Sequence, residues 1–98
     1  LPRPATTERP DAELEALRQR IDAVDDQLME LLARRMEIAR EIGRLKERHN
    51  LPVLQPHRYD ALISNRAEAA ERLGMSDTFA RKLLAIIHEE SVRQQLPR

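Results

Sequence analysis

Apolar residues recur through the first half of the chain at alternating steps of three and four: Leu14, Leu17, Ile21, Val24, Leu28, Leu31, Ile38, Ile42 and Leu45. That spacing marks one face of an α-helix. Nothing breaks the run before Asn50–Leu51–Pro52, and Gly43 inside it costs only about 1 kcal/mol relative to Ala. The pattern predicts a helix from Asp11, acting as N-cap, to His49, about 55–60 Å long at 1.5 Å per residue. Upstream, LPRPATTERP carries three prolines and no periodicity. Residues 1–10 therefore read as a flexible tail or linker, and residues 11–98 as the folded domain. LPVLQP (51–56) is a loop between prolines, with Pro56 suited to the first turn of a second helix running to Leu73. Gly74 fits a helix-ending C′ position. Ser76 or Asp77 then caps a third helix, Thr78 to Gln95. No stretch alternates in the manner of a β-strand. The expected class is all-α: one long helix and two shorter ones.

A helix of that length exceeds what a 98-residue globule can enclose. Two short helices cannot cover its whole apolar seam, and an exposed seam of Leu and Ile would aggregate. The pattern thus implies a helical homodimer, with the long helices contributing to a shared core.

One seat in the seam is anomalous. Between Leu31 and Ile38 the position is taken by Arg35. At about 100° per residue, Lys46 returns to within about 20° of the same direction. A buried cation without a partner is costly. On spacing alone the ordinary explanation is an ion pair with an acid from another helix, or snorkelling to the helix edge; the other is a ligand anion. Arg18 points about 100° away from Arg35 on a straight helix, yet could arrive from a second subunit. In the third helix the inward stripe Leu84, Ile87, Ser91, Gln95 turns polar at its end. Terminal fraying explains that equally well, but Arg35, Lys46, Ser91 and Gln95 together would furnish a donor-rich cavity for a small dianion.

Composition narrows the field. Seventeen basic and seventeen acidic side chains cancel, which argues against general nucleic-acid or membrane-surface binding. There is no Cys, hence no thiolate chemistry. His49, His57 and His88 lack metal-ligand spacing, so no metal is expected, and no motif for another cofactor is seen. No apolar run reaches the length of a membrane span, and a cytoplasmic location is the default.

LRQRIDAVDDQLMELLARRMEIAREIGRLK (17–46), LPVLQPHRYD (51–60) and IIHEESVRQQ (86–95) together resemble the all-helical chorismate mutase family. The LRxxID start, the ARR segment and IGxxK are the most specific parts. The resemblance implies an intertwined helical-bundle homodimer with two equivalent sites and the Claisen rearrangement of chorismate to prephenate, on the route to Phe and Tyr. It implies that Arg18 reaches the partner's site to bind one substrate carboxylate and Arg35 binds the other. Lys46 and Gln95 would hydrogen-bond the ether oxygen whose bond breaks, with Arg58 and Ser91 lining the pocket. A guanidinium in the bundle then receives a planar carboxylate, which it matches in bidentate fashion. A pericyclic reaction needs no nucleophile or general base. The protein selects and holds a compact conformer and stabilises charge growing on the ether oxygen.

Two positions depart from the family's pattern. Gln55 stands where an acid is common. Tyr59 stands where a Glu usually contacts the ring hydroxyl, so recognition of the ring substituent must differ. The same scaffold would serve a 4-amino-4-deoxychorismate mutase or an isochorismate pyruvate lyase. A non-catalytic dimerisation or regulatory module is the alternative of another class, but it gains nothing from Arg35. LQPHRYD is also similar to mutase domains joined to an aldol-type synthase of the shikimate pathway, which suggests an upstream fused or associated enzyme as a partner.

Overall fold

The computed structural model describes residues 4–97, with side chains from Pro10 onward. It contains three helices, α1 (Pro4–Arg48), α2 (Pro56–Arg72) and α3 (Asp77–Gln95), and no strand among the described residues. The expected class and element order stand. The start of the first helix does not: α1 begins at Pro4 and carries Pro10 inside it, so Asp11 lies within the helix rather than capping it. A proline removes one backbone donor, and here that loss does not end the ladder. Of the expected tail, residues 1–3 lie outside the described residues.

The chain divides into two compact units, the first ending at Arg34 and the second beginning at Arg35. The first unit is the N-terminal part of α1. Its seam residues Leu14, Leu17, Ile21, Val24, Leu28 and Leu31 are all exposed in the single chain, Ile21 at 60%.

The second unit holds the end of α1 together with α2 and α3. Two helix ends in it are closed the same way. At the end of α1, Asn50 takes a left-handed φ of 54°, its N–H donates to the Glu47 carbonyl at 3.3 Å, and Leu51 N–H donates to the Lys46 carbonyl at 2.8 Å. At the end of α2, Gly74 has φ 87°, and Gly74 and Met75 N–H donate to Glu71 and Ala70 at 3.0 and 2.9 Å. Both are Schellman closures, which satisfy carbonyls that the helix leaves without donors. Pro56 occupies the first turn of α2. Ser76 caps α3, its Oγ accepting from Phe79 N–H at 3.1 Å.

α2 and α3 form an αα-hairpin, packed against each other. The buried apolar residues are small: Ala39, Ala67, Ala70 and Ala80, with Ile63. Small side chains let helices approach closely, but they bury little area, and no large side chain is fully buried among the described residues. Ile38, Ile42 and Leu45 of the seam stay exposed here as well.

Candidate active site

The second unit contains a cavity of about 440 Å³. α1 supplies Arg35, Ile38, Ala39, Ile42 and Lys46 to its wall, at helical steps that place them on one face. The loop gives Val53 and Gln55, α2 gives Arg58, Tyr59, Leu62 and Arg66, and α3 gives His88, Ser91 and Gln95. Arg35, Lys46, Gln55, Arg58, Tyr59, Ser91 and Gln95, all expected at a site, thus come together. Arg18 lies in the first unit, exposed, and is not among the lining residues.

Each polar side chain is held by what its helix presents. Arg35 Nη1 donates to Ser91 Oγ, and that hydroxyl donates in turn to the Ile87 carbonyl at 2.9 Å. Ser91 is buried, with its hydroxyl proton committed to Ile87, so it holds the guanidinium in place. Lys46 Nζ donates to the Val53 carbonyl at 2.8 Å and to Gln95 Oε1 at 2.6 Å. The Schellman closure through Asn50 turns the chain back so that the Val53 carbonyl faces Lys46. An ammonium has three protons, so one remains for a ligand. Gln95, accepting through its oxygen, likewise keeps its amide protons available.

The ion pairs among the described residues are Arg81–Asp77 at 2.8 Å and Arg93–Glu90 at 2.9 Å. Neither Arg35 nor Lys46 has a carboxylate partner among them, so the ion-pair explanation for Arg35 finds no acid among the described residues. The lining holds Arg35, Lys46, Arg58 and Arg66 and not one Asp or Glu. Electrostatics follow. Burial, then Arg66 and Arg58, lower the pKa of Arg35; burial lowers that of Lys46. Burial, then Arg35 and Lys46, push His88 down, favouring its neutral ring. Desolvation and like charges both disfavour a cation. A bound anion would favour the charged form of each group and so offset these shifts.

Arg66 and His88 were not anticipated. Arg66 carries a readable signal: it lies two steps of four beyond Arg58, with Leu62 between, on one face of α2. His88 lies three before Ser91, beside the polar-turning stripe of α3. Its ring lies 4.1 Å, centroid to centroid, from that of Tyr59, tilted by 45°.

A three-helix, all-α domain with a cationic, acid-free cavity is one built to receive a small polyanion. The family model for chorismate mutase type II matches residues 17–96, and the chain belongs to that family. It is 40% identical over 80 residues to the T-protein of Enterobacter agglomerans, covering 82% of this chain and 21% of that protein. It is 38% identical over 80 residues to the 4-amino-4-deoxychorismate mutase of Streptomyces pristinaespiralis, 82% of this chain and 62% of that one. Among solved structures, a conserved hypothetical protein from Pyrococcus furiosus superimposes with a TM-score of 0.67 at 31% identity, over 86% of this chain and 96% of that chain. The chain spans about a fifth of the length of the T-protein it matches. Among the described residues no helix is long and apolar enough to cross a membrane.

Proposed function

We propose that this domain rearranges chorismate to prephenate, as a homodimer with two equivalent sites. The observation that carries the reading is the pair Lys46–Gln95, bonded at 2.6 Å, in a cavity that also holds Arg35 and lacks any acid. The spare Lys46 proton and the Gln95 amide are donors to the ether oxygen of the substrate, where negative charge grows as the bond breaks. Such donors act mostly on the transition state. Arg35, braced by Ser91, binds one carboxylate; Arg18 of the partner subunit binds the other. Arg58, Tyr59 and Gln55 face the remainder of the substrate.

The exposed seam supports the dimer. Side chains such as Ile21 and Leu28 favour burial by roughly 1.5–3 kcal/mol each, and a second copy of α1 offers the complementary face. A cytoplasmic location belongs to the same reading, as does service beside another enzyme of the pathway. The bifunctional chorismate mutase/prephenate dehydratase of Escherichia coli, 33% identical over 90 residues, is matched over only 22% of its own length. The relative named 4-amino-4-deoxychorismate mutase favours a second reading, an amino-substituted substrate.

The test is the loss of chorismate absorbance with the purified chain, the product being identified. No loss at micromolar enzyme would defeat the mutase reading.

A further inference from the structure

α2 brings two guanidinium groups to the cavity, not one. Arg58, Leu62 and Arg66 follow at steps of four and all three line the wall, so the arginines stand about two turns apart on the cavity side of the helix, about 80° from each other around its axis. Arg66 is exposed; its recorded hydrogen bond is to the neighbouring Asn65 Oδ1 at 3.1 Å, and it has no carboxylate partner among the described residues. Its charge is therefore free to act on whatever fills the cavity. That it reaches the interior field is seen in Arg35, whose pKa Arg66 depresses ahead of Arg58.

We infer that Arg66 is a substrate-facing cation of the site, and that with Arg58 it makes the cavity select dicarboxylates with a neutral ring substituent over those bearing an ammonium. The inference rests on the mutase reading of this cavity. Two carboxylates are attracted by every cation in the wall, whichever substituent the ring carries. An ammonium on the ring reverses part of that attraction. It is best met by a carboxylate, and the wall offers none: its acceptors are neutral ones, on residues such as Gln55, Tyr59 and His88, beside the cations, and the Val53 carbonyl already accepts from Lys46. A ring hydroxyl meets no such penalty, since Gln55 and Tyr59 can each donate to it or accept from it. Like-charge juxtaposition is one of the stronger sources of discrimination between otherwise similar ligands.

The experiment compares chorismate with 4-amino-4-deoxychorismate for the parent and for Arg66→Lys, Arg66→Leu and Arg66→Glu. The parent should favour chorismate in kcat/KM by about tenfold or more. Arg66→Lys should keep that ratio. Arg66→Leu should lower it several-fold, chiefly by raising KM for chorismate, and Arg66→Glu should lower it further by supplying the missing carboxylate. Because Arg66 is exposed, melting points should move little, and Arg66→Leu carries the comparison if the acid variant folds poorly. If chorismate is consumed but KM and the ratio are unchanged in Arg66→Leu, Arg66 only faces solvent and the inference falls while the mutase reading stands. A parent that prefers the amino substrate overturns it equally. If neither substrate is consumed, the mutase reading falls and takes the inference with it.

Discussion

Gly43 of α1 lies against the backbone of Gln95. A Cβ added at Gly43 would sit 2.5 Å from the Gln95 carbonyl oxygen and 2.7 Å from its Cα. Atoms of a helix backbone cannot swing aside as a side-chain tip can. The Lys46–Gln95 pair one turn further on depends on this approach.

Gly43→Ala therefore sets two effects against each other. Alanine favours the helix by about 1 kcal/mol, while overpacking of this kind costs about 1–3 kcal/mol. The clash should win: helix content by circular dichroism stays near the parent's, the melting point falls, and kcat falls with it as Gln95 is displaced. A more stable and equally active variant would refute the close approach.

Why was this glycine not understood from the sequence? Periodicity reports which face of a helix is apolar, and Gly43 merely weakens that signal; the neighbour it admits lies 52 positions away. The same limit hid His88, while Arg66 showed only its step-of-four spacing from Arg58. Arg35 stood out because it interrupts a clean seam, whereas α2 has no seam clean enough for an arginine to interrupt. Signals that act locally were legible. Pro56, Gly74 and Ser76 each fix one backbone geometry, and each lies at the helix end where it was expected. Pro10 was the exception. A proline near a helix start is weak punctuation, and the ladder runs through it from Pro4.

Arg35→Ala should damage activity far more than stability. In the free protein this guanidinium bonds Ser91 and pairs with no acid among the described residues, so its removal strands no buried carboxylate. A hydrogen bond from a charged group is worth about 1.5–3 kcal/mol, which predicts a fall in kcat/KM of roughly 10- to 150-fold. The melting point should stay within a few degrees. A collapse in stability would instead reveal an acidic partner for Arg35 in the assembled dimer.

The dimer itself is checked by subunit mixing. Arg18→Ala and Arg35→Ala dimers should each fall well below the parent in activity. If Arg18 serves the site of the partner subunit, a mixed dimer has one site with both arginines intact, and exchange should restore up to half the parent activity per heterodimer. Absence of recovery after verified exchange would exclude a shared site. Sedimentation showing a compact monomer at micromolar concentration would exclude the dimer.

His88 predicts a stability change in mild acid. Its folded pKa is held below the ordinary 6.5, first by burial and then by Arg35 and Lys46. Above about pH 6.5 the ring is neutral in both folded and unfolded chains and contributes no slope. As pH falls through that value the unfolded chain takes up a proton that the folded chain resists, so stability is lost until the lowered pKa is passed. His88→Gln should remove that loss. Melting curves between about pH 7.5 and 5 should show the parent declining relative to the variant, below about 6.5 and not above. Parallel curves would mean that His88 is solvated in the folded protein.

Gln95→Glu tests the centre of the mechanism. Gln95 accepts from Lys46 through Oε1 at 2.6 Å, leaving its amide to donate to the ether oxygen at any pH, so the parent should show a nearly flat rate across neutral pH. In the variant the new carboxylate also meets Lys46, and the ammonium favours its ionised form. Ionised, it has no proton to donate, and it places negative charge where the transition state develops more. Losing one such donor typically costs on the order of 100-fold or more in kcat, with less effect on KM because the contact strengthens only as the bond breaks. Activity should therefore be low at neutral pH and recover as acid protonates the carboxylate. The fold should persist, since the Lys46 contact is kept and strengthened. A variant with the parent's rate and the parent's flat profile would show that the Gln95 amide does not face the breaking bond, and the third helix would lose its part in the chemistry.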